Sequence, residues 1–348
     1  MRLVRILLAP DRFAGTLSAA EAVEAITSGW RRSSPYDVLD PLPLSDGGPG
    51  FLDVLCEHIG GELAVVTVHG PLGEPVPARV LVDGSTAYVE AAEAVGLHLL
   101  VPTSQDAAEA SSEGVGELVT AAVETGARRI VVGVGGTATT DGGKGLLDAL
   151  DGLEAAKALV AGIELVAATA TDAPLMGHSG AAHGFAEGKG ADRATRESLE
   201  RSLREWATVT DGGLAVRPGA GAGGGIGFGL LLMGAERVNG TELVSAVAGL
   251  DDKVRVVDLA LTGQAVFDWE TLRGRVVVGV ARAAQRAGRP TVVLCRRLDV
   301  GRREMSGSGI DAAYAIDDMD EVTQGDPSHT TGESLAGLAE RVARTWSR

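Results

Sequence analysis

RIVVGVGGTATTDGGKGLLDAL, residues Arg129–Leu150, reads as a strand, a loop and a helix in immediate succession. Arg129–Val134 is a hydrophobic strand, Gly135–Gly143 a run of small residues closed by Asp141-Gly142-Gly143, and Lys144–Leu150 the start of a helix. A strand that passes through a small-residue loop into a helix is the building unit of parallel α/β sheets. Such loops lie at the carboxyl ends of the strands, beside helix amino termini, where ligands bind.

The same grammar repeats outward from this stretch. Glu113–Thr125 precedes it as a helix. Near the start, Val4–Ala9 is a short strand, and Ser18–Trp30 is a helix with Ser18 as its cap and Glu21 three residues on. Near the end, Val254–Thr262 reads as a strand, Val276–Ala287 as a helix and Thr291–Leu294 as a strand. One region departs from the pattern: Val65–Val68, Val76–Val82 and Thr86–Glu90 are β-rich pieces separated by Pro71-Leu72-Gly73 and Asp83-Gly84, as antiparallel hairpins require. The expected fold is therefore α/β in two domains. The hairpin region marks an inserted α/β domain over residues 63–254, which leaves residues 1–62 with 255–348 as a discontinuous parallel-sheet domain.

Composition agrees with two domains: 348 residues, 45% hydrophobic but only 3% aromatic, so Ala, Val and Leu must build the cores, and 49 glycines suit ligand loops. A net charge of −16 repels phosphodiester backbones and anionic lipid, which argues against nucleic-acid and membrane-surface roles. Leu3–Ala9 is too short for a secretory signal and stops at Pro10, and no apolar run reaches the roughly 18 to 20 residues of a membrane helix. Cys56 and Cys295 have no metal-ligand spacing and fit a reduced compartment, so the expected location is cytoplasmic. Oligomeric state is not legible.

Two glycine-rich runs carry the chemistry. In Gly135–Gly143 small residues let backbone N–H groups approach phosphate, threonines add hydroxyl donors, and Asp141 suits magnesium or a substrate hydroxyl. It is not a Walker A loop, because Gly145 follows Lys144 where Ser or Thr is required. Pro218–Gly229 is the second run, and close helix packing explains it as well as a ligand does. Asp-Gly-Gly occurs at Asp46, Asp141 and Asp211; the first two follow strands, and Asp211 reads as a turn. Asp11, Asp46, Asp141, Asp172 and Asp268 all sit in loops beside apolar runs, where phosphoryl-transfer enzymes place carboxylates. The charges of Asp192–Trp206 read as a solvated helix face. The six histidines show no zinc-type spacing.

Ala9-Pro10-Asp11-Arg12-Phe13-Ala14-Gly15-Thr16-Leu17-Ser18 resembles the opening A-P-D-S-F-K-G-S-L-S of the glycerate kinases, and Pro43–Gly48 resembles their P-x-S/A-D-G-G. Gly70–Gly73, Glu90–Ala92, Gly135–Gly143, Pro174–Gly177, Lys189–Ala191, Pro218–Gly227 and Leu261–Gly263 continue the resemblance in order, from about residue 6 to 295. What this implies is magnesium-dependent transfer of the ATP γ-phosphate to a hydroxyl of D-glycerate or a related small hydroxy acid, in a cleft between a Rossmann/flavodoxin-like domain and a second α/β domain. By that resemblance Asp46 and Asp141 are the catalytic carboxylates, and with Asp172 the metal ligands. Gly135, Gly136, Thr137, Thr139, Gly142, Gly143, Gly219, Gly221, Gly223, Gly224 and Gly225 would hold ATP phosphates. Asp11, Arg12, Lys189, Thr262, Asp268 and Arg275 would hold the acid.

The sequence also departs from the family. Ala14 stands for lysine, Arg12 for serine, Pro49 for glutamate, Thr169 and Ala170 for cysteine-aspartate, Thr140 and Ala173 for asparagine, Gln264 for glutamate and Val266 for arginine. Arg12, Lys144, Lys189 and Arg275 are the cations available as replacements. Two functions are therefore expected in competition: an active hydroxy-acid kinase, or a catalytically altered paralogue that binds a nucleotide, small acid or protein. A nicotinamide oxidoreductase lacks a clean dinucleotide fingerprint.

Overall fold

Ser18 opens the first helix through a capping box: its side chain accepts from the Glu21 N–H while the Glu21 carboxylate accepts from Ser18 N at 2.8 Å, and Ala19–Ser33 follows. The structure, a computed structural model, describes residues 3–319 and 331–347. Its strands are β1 (Arg5–Leu8), β2 (Val38–Pro41), β3 (Glu62–His69), β4 (Pro75–Asp83), β5 (Thr86–Glu90), β6 (Arg129–Val134), β7 (Glu164–Thr169), β8 (Glu236–Asn239), β9 (Leu259–Phe267), β10 (Thr291–Leu298) and β11 (Ala312–Ala315). The chain divides into two units, Met1–Asp46 with Thr241–Arg348, and Gly47–Gly240.

The discontinuous unit holds a five-stranded sheet, β11-β10-β9-β1-β2, in which every pairing is parallel. Counted along this unit, the order is the 2-1-3-4-5 of flavodoxin-like folds, whose ligand crevice lies at the carboxyl ends of the first and third strands. The sheet is buried on both faces. Ile6, Leu8, Leu261, Val292 and Leu294 pack under helices Ala19–Ser33 and Gly332–Trp346, while Val293 and Cys295 pack under Val276–Arg286. Residues alternating along β10 thus feed two cores, as the period of a strand dictates.

The inserted unit holds a six-stranded sheet, β3-β4-β5-β6-β7-β8, whose first two pairings are antiparallel and the rest parallel. Val80, Val89, Ile130, Val132 and Leu165 share a core with Val115, Leu118 and Val119 of helix Glu113–Glu124. Helix Phe51–Ile59 packs with Phe51 edge-on to Tyr88, ring centroids 6.4 Å apart. The unit begins at Gly47, not near residue 63, because this helix packs on β4 and β5. Likewise Leu250–Arg255 packs on Val276–Arg286 and belongs to the discontinuous unit.

The strand expected over Val254–Thr262 begins only at Leu259. Leu250–Arg255 is a helix entered through Gly249 in the left-handed region, with Asp251 and Asp252 in its first turn and Lys253 and Arg255 in its last, the charge order that a helix dipole favours. Asp211 caps a short helical turn, accepting from the N–H groups of Gly213 and Leu214 at 2.8 and 3.0 Å.

Candidate active site

The segment after β1 stays in the plane of its sheet. Ala9 N donates to the Leu261 carbonyl at 2.7 Å and Asp11 N to the Gly263 carbonyl at 2.9 Å, while buried Thr262 donates its hydroxyl to the Ala9 carbonyl at 2.7 Å. From the other side, Leu42 N and Leu44 N donate to the Leu8 and Pro10 carbonyls at 2.8 and 3.0 Å and carry the chain on to Asp46. Strand pairing therefore delivers Asp11 and Asp46 to the carboxyl end of the sheet, at the switch between its first and third strands. A cavity of about 130 Å³ opens there, lined by Asp11, Arg12, Asp46, Gln264, Asp268 and Arg275 among others.

Asp11 is 8% exposed. Burial, reinforced by the charge of Asp46, raises its pKa to about 7, against the opposing pull of the Arg12 charge, the Arg12 backbone N–H and the Arg275 charge. That N–H reaches Asp11 Oδ1 at 2.7 Å. Burial disfavours the charge on Arg275, yet Asp46, Glu270, Asp11 and Asp268 together more than offset it and raise its pKa. Its guanidinium lies 2.8 Å from Glu270. Asp268 Oδ1 accepts from both N–H and Oγ1 of Thr271 at 3.0 Å, fixing the turn that leads to Arg275. Gln264 donates Nε2 to the Val266 carbonyl and to Thr271 Oγ1 at 2.5 and 2.6 Å, while its buried Oε1 has no partner among the described residues.

In the inserted unit, both glycine-rich runs are packed on each other. Gly142 N donates to the Gly224 carbonyl at 3.0 Å and Thr139 Oγ1 to the Gly223 carbonyl at 3.1 Å. A Cβ on Gly224, whose φ is +70°, would overlap the Thr139 carbonyl, so glycine is required there by both torsion and space. Gly225 lies against Gly142 in the same way, Gly143 against Gly229, Gly221 against the Pro174 carbonyl, Gly219 against Arg237, and Gly135 and Gly136 against Gly48 and Pro49. The buried hydroxyls of Thr137 and Thr140 have no partner among the described residues.

Asp141 is the staple of this loop. Its Oδ2 accepts from Ser112 N, Ser112 Oγ and Gly145 N at 2.8, 2.7 and 3.1 Å, and its Oδ1 from Gly143 N at 3.0 Å. Those four donors match the roughly four acceptor sites of a carboxylate. Lys189 lies buried beneath the loop, donating Nζ to the Thr139 carbonyl at 2.5 Å; burial pulls its pKa down to about 8 against the attraction of Asp141. Asp172 is paired with Arg237 at 2.6 Å.

The discontinuous unit thus brings together Asp11, Arg12, Asp46, Asp268 and Arg275. The inserted unit brings together Asp141, Lys189 and the two glycine runs, with Asp172 on Arg237. Sequence reasoning missed Gln264, seen only as a replaced glutamate, and Ser112, whose hydroxyl bridges Asp141 to Leu146 N at 2.9 Å. It also missed Glu90, 3% exposed, which accepts from Gly50 N and Leu52 N at 3.1 Å each. Burial raises the pKa of Glu90 to about 7 despite those N–H groups.

The family model for glycerate kinases matches residues 6–155 and 151–347. The chain belongs to the glycerate kinase family. It is 32% identical to a glycerate kinase of Halalkalibacterium halodurans over 99% of each chain, and 33% identical to the glycerate 2-kinase of Escherichia coli over 90% of each. An uncharacterised Mycobacterium bovis protein is 43% identical over 90% of this chain and 84% of its own. A crystal structure of a candidate glycerate kinase 2 from Salmonella typhimurium LT2 superposes with a TM-score of 0.74 and 29% identity, covering 99% of both chains. The glycerate kinase-like α/β architecture is therefore that of the family. Among the described residues no helix is long and apolar enough to cross a membrane.

Proposed function

We propose that this family member is an ATP-dependent kinase that phosphorylates a hydroxyl of D-glycerate or a related small hydroxy acid, with the acid bound in the Asp11–Asp46–Arg275 cavity. The observation that carries the reading is a buried carboxyl held near neutrality beside a second carboxylate and two arginines, at the switch point of a flavodoxin-like sheet. A volume of about 130 Å³ is small beside the roughly 300–1,000 Å³ of pockets for drug-sized ligands, and suits a few-carbon acid.

Arg12 and Arg275 supply forked donors for the acid's carboxylate. Asp11, near neutrality, is matched to take the hydroxyl proton at physiological pH. Gln264 Oε1, without a partner among the described residues, accepts from the acid's other hydroxyl, leaving the one proton of the reacting hydroxyl to Asp11. Asp46 is the carboxylate suited to magnesium, which when bound neutralises charge on the transferred phosphoryl oxygens. Asp141 has four protein donors on its oxygens and Asp172 an arginine, so the protein itself already engages both of those carboxylates. In the inserted unit the unpartnered Thr137 and Thr140 hydroxyls fit phosphate oxygens of the nucleotide.

The test is turnover with magnesium-ATP and a panel of hydroxy acids headed by D-glycerate, reading the phosphorylated isomers directly. Product that disappears in Asp11→Asn supports the proposal. Nucleotide binding without product on any acid overturns it in favour of the altered paralogue.

A further inference from the structure

His69 ends β3, and helix Glu113–Glu124 passes directly beneath it. A Cβ on Gly114 would overlap the His69 carbonyl oxygen, so the glycine lets strand and helix backbones touch and sets the imidazole between Glu113 and Glu117. Those two glutamates are four residues apart and share one helix face. Glu117 already grips the strand end, accepting from His69 N at 2.6 Å through Oε2 and lying 2.7 Å from Nδ1 through Oε1. Glu113 Oε1 is 3.8 Å from the same nitrogen.

We propose that His69, Glu113 and Glu117 form a site for a divalent first-row transition ion of the zinc class, clamping the edge strand of the six-stranded sheet to its helix. One nitrogen and two carboxylate oxygens lie within 4.8 Å of one another. A tetrahedral ion with bonds of about 2.0–2.2 Å holds its ligand atoms about 3.3–3.6 Å apart, so the ion replaces the proton between His69 Nδ1 and Glu117 Oε1, that 2.7 Å pair opens, and the Glu113 carboxylate rotates inward to close the set. The imidazole decides the class, since magnesium and calcium prefer oxygen alone whereas zinc, cobalt, nickel and copper take imidazole readily. Three protein ligands on partly exposed side chains leave the fourth position to water. All three residues belong to the inserted unit, and the inference does not depend on the kinase reading.

Chelator-treated, tag-free protein is titrated with Co²⁺ and followed by visible absorption, then back-titrated with Zn²⁺, with thermal unfolding recorded alongside. The expected result is saturable 1:1 binding, displacement by zinc, and a higher Tm when the ion is bound. His69→Ala and Glu113→Gln each remove a ligand and should weaken Co²⁺ binding by more than the about 10- to 100-fold that loss of an outer-shell partner costs. Glu113→Gln leaves the Glu117 bond to the His69 backbone intact, so a loss of affinity there is not a failure to fold. His178→Ala, outside the cluster, should bind as the native chain does. Absence of saturable binding, or binding that survives either His69→Ala or Glu113→Gln, overturns the proposal.

Discussion

Asp11 and Asp46 reach one cavity from the ends of neighbouring strands, and the charge on Asp46 is second only to burial in holding the Asp11 carboxyl at about 7. The discontinuous unit thereby contains a group that changes protonation at physiological pH. The arrangement is costly to the fold and useful to a proton transfer, and the two consequences are separable by experiment.

As the base, Asp11 must lose its proton, so kcat/KM should rise with pH through about 7. Asp46→Asn removes the like charge and should move that limb to lower pH on whatever activity remains, while Asp11→Asn should reduce turnover by about 10²- to 10⁴-fold. Stability moves the other way. The folded pKa lies above the ordinary value near 4, so the contribution of Asp11 is fully present below about pH 4 and is lost as pH rises through about 7. Each tenfold change in proton affinity is worth about 1.4 kcal/mol. Denaturant unfolding should therefore show Asp11→Asn more stable than the native chain at pH 8, with the difference vanishing near pH 4. A variant that is both less active and less stable at pH 8 would contradict this account.

Gln264 presents one unpartnered buried acceptor to the cavity wall. Replacing it with leucine removes that acceptor and the donation to Thr271, and a neutral hydrogen bond is worth about 0.5–1.5 kcal/mol. The expected outcome is a roughly tenfold fall in kcat/KM for the hydroxy acid, with ATP affinity unchanged in a nucleotide-binding titration. A fall in ATP affinity of the same size would place Gln264 elsewhere in the chemistry.

Local pattern made much of this fold readable. Ser18 and Glu21 announce their capping box, and Arg129–Val134 is bounded on both sides by turn residues, so each element was legible from a few neighbours. Val254 was not, because an apolar residue closing the Leu250–Arg255 helix looks like the first residue of the strand that starts at Leu259. The acidic cavity was half legible: Asp11 and Asp46 stand in recognisable loops, but Gln264 gains its place only from the pairing of β9 with β10. His69, Glu113 and Glu117 leave no spacing signal, since a strand end and a distant helix meet only through the small surface of Gly114.

Asp141→Ala would stop turnover under more than one mechanism, so activity loss alone says little about it. The carboxylate accepts from Ser112, Gly143 and Gly145, and its removal strands buried donors at about 1–3 kcal/mol each. We expect Asp141→Ala to lower stability in urea by about 3 kcal/mol or more, and Asp141→Asn by less, because an amide keeps one acceptor. If instead Asp141→Asn unfolds like the native chain while magnesium affinity collapses, Asp141 is a metal ligand.

Glu90 offers the sharpest separation of fold from chemistry, because it lies outside the acidic cavity and fixes only the start of helix Phe51–Ile59. Its two oxygens satisfy the N–H groups of Gly50 and Leu52, which a helix amino terminus otherwise leaves without partners. Burial keeps its proton on to about pH 7, so this carboxyl weakens the fold as pH rises through that value, while truncation exposes the opposite cost of unpaired donors and an empty space. Glu90→Ala should therefore destabilise by about 3 kcal/mol at pH 4, below the ordinary carboxyl value, and by less at pH 8, where the native chain has lost that contribution. Denaturation midpoints at the two pH values, with constant m, decide the matter. An equal loss at both would show that Glu90 carries the same charge in the folded and unfolded chain.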